Sequence, residues 1–284
     1  MISKTTKKIN SLGFIKLSLI IFSLLVVLSW LFIFNVENAD LSSLFSDKNI
    51  NHTKTFSKRL LGIGEKNPAF KNIDSIKNVL KLTVETLIMS IIAIGFSSIV
   101  MLLMVVWGSR NVADGTLTLS RRWYNWIVFG LVRVLYIFSR AIPELIWAMI
   151  IVFIFKPGIL PGAIALSLHN FGILGKLCSE VIEDLDLRPI RNLASSGASK
   201  MQMLIYGVIP MVTPKFITFI LYRWEVIIRT TIVVGFVGAG GLGMQFKLSM
   251  SWFHYSEITL LLISYVLLVI FSDIISQGIR KLIK

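Results

Sequence analysis

Cysteine is almost missing from this 284-residue chain: Cys178 stands alone, which excludes an intramolecular disulfide and a cysteine metal cluster. Charge is thin as well, since Asp, Glu, Lys and Arg make up 15% of the residues, against about a quarter in soluble domains. Acidic residues are the scarcer sign, 15 against 29 basic ones, for a formal net charge of +14. The three histidines, His52, His169 and His254, have no second His or Cys at ligand spacing. Each reads as a hydrogen-bonding or interface residue, and no metal site is expected. No Ser/His/Asp or paired-carboxylate arrangement can be assembled, which leaves a membrane-embedded enzyme with little support. An intact nucleotide-binding loop is also missing: around Gly175-Lys176, Asn170 fills the first-glycine position and Leu177 the Ser/Thr position. No internal repeat with paired broken helices is visible, although that repeat is the mark of many secondary transporters.

What the chain does have is apolar surface. Hydrophobic residues are 55% of it and the mean hydropathy is +0.78. A spanning helix needs about 20 apolar residues, so the length accommodates six or seven spans in one bundle, an all-α membrane protein. In that setting the positive charge belongs at lipid phosphates and cytoplasmic loops, and it does not imply nucleic acid.

The basic tail Lys4, Lys7, Lys8 and Lys16 precedes an apolar run from Leu17 to Phe34. Asn35-Val36-Glu37-Asn38 offers no cleavage site, so this run reads as an uncleaved first span with the tail in the cytoplasm. The polar segment 35–81, with Glu37 and Asp40 at its start, carries eight Lys and Arg residues and is placed outside, against the positive-inside bias. It reads as a solvated connection; alternatively its charge draws an anionic substrate or an acidic binding protein. Leu82–Val106 is the second span, and Arg110, Arg121 and Arg122 mark an inside loop. Arg133 and Arg140, two turns apart, suggest an interfacial helix from Trp126 whose cations reach water or lipid phosphate. A third span from Ala141 to Phe155, an outside turn at Lys156-Pro157-Gly158 and a fourth span from Leu160 to Leu177 follow. Gly158 and Gly162 have a close-packing spacing. Met211 to Val234 is the fifth span, Gly235 to Tyr255 an outside segment, and Glu257 to Asp273 the sixth. Arg280, Lys281 and Lys284 hold the C-terminus inside. The expected division is 1–81 for the tail, first span and polar segment, 82–277 for the spanning domain and 278–284 for a basic tail.

Two features inside the apolar blocks bear on function. Gly238-Ala-Gly240-Gly241-Leu-Gly243 satisfies a dinucleotide-binding fingerprint, but no βαβ alternation surrounds it. It reads as close helix packing with a tight turn, or as a flexible gate where backbone approaches substrate. Ionisable residues recur at one-turn spacing: Arg140 with Glu144, and Glu225 with Arg229, Arg223 being close by. A mid-bilayer charge costs about 2.5–3.5 kcal/mol on insertion scales. Each pair therefore neutralises itself, or else Arg223 or Arg229 lines a pathway for an anion.

The longest polar interruption of the second half runs from Asp186 to Pro214. Asp186 is a candidate N-cap, Pro189 suits a first helical turn, Gly197 closes a helix, and a second short helix leads to Gly207 and Pro210. Gly197, Gly207, Val208, Ile209 and Pro210 resemble the cytoplasmic loop of permease subunits of binding-protein-dependent ABC importers. The run from Gly197 to Gly243 resembles the phosphonate type of that group, and the likeness extends back to Pro143-Glu144. It departs at Arg191, where the family usually has Glu, and at Gly207, where it often has Ile. The resemblance implies six spans, with a cytoplasmic coupling hairpin between the fourth and fifth, in the cell membrane. It also implies a homodimer, two copies of a separate ATP-binding subunit and an extracytoplasmic substrate-binding protein, with no cofactor on this chain. Coupling to the ATPase would fall to Ala194, Ser196, Gly197, Ala198, Ser199 and Lys200. The substrate pathway would involve Arg223, Glu225, Arg229, Gly238, Gly240 and Gly241. The solute would be a phosphonate or a related phosphorus oxyanion. A secondary transporter working without ATPase partners is the alternative.

Overall fold

A computed structural model describes residues 2–35, 45–117 and 122–283, and among them every regular element is helical. The expectations attached to Glu37, Asp40, Arg121 and Lys284, and to the side chains of Lys4, Lys7 and Lys8, lie outside the described residues. The chain forms two compact units, Met1–Lys58 and Arg59–Lys284.

The first unit holds α1, Ile2–Asn35, and most of α2, Asp47–Leu60. From Gly13 to Asn35, α1 is apolar on every face and none of it is buried by protein, the surface of a helix solvated by lipid. α2 is polar, buries no residue, and places Asp47 in its first turn, where a carboxylate complements the helix dipole.

In the second unit α3, Ile73–Met104, starts earlier than the expected Leu82. Asn72 caps it by accepting the Asp74 N–H at 3.0 Å, and Lys77 and Lys81 stay exposed while Val79 is buried beside them. The charges that closed the apolar window do not close the helix. α4, Trp123–Ala141, meets α5, Glu144–Phe155, at a bend of 90° across Ile142 and Pro143. α6 is Ile159–Glu183 and α7 Arg188–Ser195. The one-turn helix Lys200–Gln202 and a π-helical turn, Met203–Val208, then lead into α8, Ile209–Val234. A second π-helical turn, Gly235–Ala239, joins α8 to α9, Gly241–Ser251, and α10 is Tyr255–Ile283.

Among the described residues, four stretches are long and apolar enough to cross a membrane: Gly13–Asn35, Ile73–Met104, Lys200–Ala239 and Tyr255–Ile283, with the broken pair α4 and α5 as a fifth. At 25 residues, or about 37 Å, α6 has the length but is more polar. It is the core of the unit. Ala163, Ala165, Leu166, Leu174, Cys178 and Ser179 are fully buried, and small residues let three neighbours approach its backbone. α3 runs parallel to it: Gly162 sits against Met89, and Gly108, just past α3, sits against Ser179. α4 and α5 descend its other side. The Tyr136 ring covers Gly175, Ser139 Oγ donates to Leu168 O, and Gly158 N donates to Gly238 O at 3.1 Å beyond the α5–α6 turn.

This packing corrects one expectation and refines another. Trp126–Arg140 is not an interfacial helix with solvated cations, because Arg133 is turned inward to Glu183 and to Gly108 O at 2.8 Å. The segment from Gly235 to Tyr255, read from sequence only as an outside segment, is mostly helical. Its glycines are a joint: a methyl on Gly235 would lie 2.7 Å from Gly243 Cα, and one on Gly243 would meet the Ile232 carbonyl. Of the Gly158 and Gly162 pair, only Gly162 is closely packed; a methyl on Gly158 would meet nothing nearer than Pro161 at 3.8 Å.

A methyl on Gly172 would lie 2.6 Å from Tyr136 O and 2.8 Å from Arg140 N, backbone that cannot rotate away. We expect Gly172→Ala to destabilise the bundle by about 1–3 kcal/mol, read as a lower thermal midpoint in detergent. Gly95→Ala, where nothing lies within 4 Å, should leave it unchanged or higher.

Candidate functional site

Two polar constructions interrupt the apolar bundle. The first is the turn after α6. Leu187, not Asp186, is the N-cap residue of α7, but Asp186 Oδ1 accepts the Arg188 N–H at 3.0 Å, so its carboxylate still serves the first turn. Pro189 occupies the opening turn, where a missing N–H costs nothing. α7 ends in a Schellman closure, with Gly197 N donating to Ala194 O at 3.0 Å and Ala198 N to Leu193 O at 3.1 Å. That closure demands a left-handed residue, and Gly197 supplies it with φ 84°. Ser199 then starts the next helix in a reciprocal capping box with Gln202.

The two arms are held together by Ile190, 2% exposed, and Leu193. A methyl on Gly207 would lie 3.3 and 3.2 Å from them. Glycine at this position therefore lets α7 lie close on the π-helical turn. Arg191, Ser195, Ser196, Gly197, Ser199 and Lys200 are exposed, while Ala194 and Ala198 are half-buried. The six residues read from sequence as a coupling set are thus gathered on one capped turn.

The second construction lies where the start of α5 meets the middle of α6 and of α8. Asn170, 1% exposed, accepts two N–H groups of Arg223 on its Oδ1, from Nε at 2.9 Å and Nη2 at 2.5 Å. Asn170 Nδ2 donates to Leu166 O at 2.7 Å, so the amide has a fixed orientation. Beside it, His169 Nε2 lies 3.2 Å from Glu144 Oε2 and Nδ1 2.9 Å from Ile142 O. His169 thus bridges the carbonyl freed by the α4–α5 break and the carboxylate that opens α5. Trp224 Nε1 donates to Ser90 Oγ at 3.1 Å, tying α8 to α3 at the same height.

The expected one-turn pair of Arg140 with Glu144 does not form, because the helix breaks between them and Glu144 pairs with His169 instead. Glu225 and Arg229 do approach, at 4.0 Å, but the close partner of Glu225 is Arg280 at 2.5 Å. Arg229 also lies 3.8 Å from Asp273. Arg280 is therefore a clasp between α8 and α10. Gly238 and Gly240 adopt φ 103° and 83° beside Pro157 and Ile159, and Gly241 packs on Thr86, whose Oγ1 accepts the Leu242 N–H at 2.9 Å. These three glycines are brought together at the α8–α9 joint, away from Arg223. Sequence reading missed His169 and Asn170 as site residues. The signal was there, two adjacent polar side chains at the centre of the Leu160–Leu177 run.

Residues 115–284 match the family described as binding-protein-dependent transport system inner membrane component. The chain belongs to that family. This inner membrane component is 36% identical over 198 residues to the phosphite transport system permease protein PtxC of Stutzerimonas stutzeri, covering 70% of this chain and 68% of that one. It is 28% identical over 202 residues to the phosphate-import permease protein PhnE of Mycolicibacterium smegmatis, covering 71% of this chain and 36% of the relative. Its fold is that of the inward-facing MetNI methionine ABC transporter structure, with a TM-score of 0.65 at 17% identity over 75% of this chain and 99% of that one. It is a multi-pass membrane permease subunit and a pathway component rather than an enzyme. The family match favours this over the secondary-transporter alternative.

Glu225 has a side chain only 10% exposed, and removing one partner of such a pair costs about 3–5 kcal/mol. We expect Arg280→Gln to lower thermal stability by about that amount, and Glu225→Gln in the same chain to restore much of it. Equal losses that simply add in the double variant would show that the clasp contributes nothing.

Proposed function

We propose that this subunit forms, with a second copy of itself, the translocation pathway of an importer for a small phosphorus oxyanion, phosphonate, phosphite or phosphate. ATP hydrolysis in two partner subunits drives it, and an extracytoplasmic protein delivers the solute. Both termini and the α7 turn lie in the cytoplasm and residues 35–81 outside, with α6 as a crossing in the same direction as α3, six crossings in all. The observation that carries this reading is the exposed, doubly capped turn from Ala194 to Lys200 in a chain of this family. It is rigid, polar and directly connected to α8, so a partner that displaces it displaces a spanning helix. ATP-dependent closure of the partners then biases an inward and outward equilibrium through differential contact with this turn.

The relatives named for phosphite and phosphate transport support an oxyanion as solute. Within the bundle, Arg229 is flanked by two carboxylates and Glu225 is clasped by Arg280, whereas Arg223 rests on the neutral Asn170. Arg223 thus keeps guanidinium N–H groups for a passing anion, while Gly238, Gly240 and Gly241 let the outer joint flex.

A side chain at Gly197 would meet nothing within 4 Å, so its cost is backbone strain alone, about 1–2 kcal/mol. We expect Gly197→Val to leave the bundle folded and ATP hydrolysis by the complex intact, with uptake of phosphite in proteoliposomes reduced at least about tenfold, as for a lost charge-assisted contact. Full coupling in that variant would refute the assignment. For the pathway, Arg223→Gln should slow phosphite uptake by about tenfold with ATPase rate and thermal midpoint retained. Unchanged uptake removes Arg223 from the route.

A further inference from the structure

The foot of the bundle contains a slot of about 750 Å³ that borders the turn at Lys200 and shares nothing with the polar cluster. Its floor is buried and apolar, with Val112, Leu117, Met203 and Val208, and its rim is exposed and apolar, with Leu103, Trp107 and Met201. The only charged residues on its lining, among the described residues, are Arg122 and Lys200. Arg122 is held in place: Nη1 donates to Tyr124 Oη at 2.5 Å, and the guanidinium carbon stands 5.7 Å from the Tyr124 ring centre. Lys200 is exposed and makes no ion pair among the described residues.

We propose that this slot binds one acidic phospholipid of the adjoining leaflet, its acyl chain against the floor and its phosphate between Arg122 and Lys200. Three observations favour this occupant. The slot opens where the apolar face of α3 ends and exposed Trp107 and Trp123 mark the headgroup level. Its charge is of one sign, with no lining carboxylate to receive the basic side chain of a protein partner. Its depth and apolar floor suit a hydrocarbon chain better than a hydrated ion. Met203 and Val208 belong to the π-helical turn between the α7 turn and α8, so the lipid would rest on the segment that joins them. Bilayer composition would thereby bear on how firmly the turn is linked to α8.

The test is native mass spectrometry of the full chain, released from nanodiscs containing equal phosphatidylglycerol and phosphatidylcholine, beside photo-crosslinking from a benzophenone residue at Met201 in the assembled transporter. Two interfacial cations should retain phosphatidylglycerol about thirtyfold over phosphatidylcholine. Arg122→Gln with Lys200→Gln should bring the ratio near one, while Arg110→Gln, outside the slot, should keep it. The crosslink should fall on lipid. No headgroup preference in the native chain, a preference unchanged in the double variant, or a crosslink to a protein subunit would each overturn the proposal. If the double variant fails to fold, the native ratio and the crosslink decide.

Discussion

Close approach to the backbone of α6 is the constraint on which the rest depends. Inside a bilayer no hydrophobic effect drives helix against helix, so association relies on shape and on polar pairs. α6 meets this with small residues on several faces: Gly162 against Met89 and Ala239, Gly172 against the α4 backbone, and Gly175 under the Tyr136 ring. Lys176 and Glu180 pair with each other along its exposed side, and the buried polar residues are taken up by neighbours. Glu183 accepts the Arg110 N–H at 2.7 Å and takes Arg133, Asn170 takes Arg223, and His169 takes Glu144. A helix with His169, Asn170, Lys176 and Glu183 along it is the one most enclosed by protein.

That inversion explains what the sequence conveyed and what it did not. The capped turn was legible because its determinants are local, Pro189 near the start and Gly197 at the end, although the equally local Ser199–Gln202 box was not read. The long apolar stretches were legible for the same reason. Charge partners were not. One-turn spacing suggested Arg140 with Glu144, but Pro143 breaks the helix and turns Glu144 toward His169. Glu225 met Arg280, far along the chain, in preference to the nearer Arg229. Spacing along one helix cannot report a contact made by antiparallel packing of two.

The glycine run shows a third kind of legibility. Composition announced a close approach of backbone, and it occurs, yet the motif alone did not say to what. The answer depends on α9 folding back on α8, so that Gly243 lies on the Ile232 carbonyl and Gly241 on Thr86. The fingerprint of a phosphate-binding turn and the seat of a helix joint share residues because both need room where a side chain would stand.

The stretch from Lys200 to Ala239 is 40 residues of nearly continuous helix, or about 60 Å. It is gripped around its middle, where Arg223, Trp224 and Glu225 are tied to α6, α3 and α10 in succession. A rod pinned near its centre behaves as a seesaw. With an inner arm of about 35 Å, a tilt of about 10° swings the cytoplasmic tip by roughly 6 Å and moves the glycine joint the opposite way by somewhat less. Opening at one surface and closing at the other would then be a single rotation, timed by geometry and needing no signal passed from residue to residue.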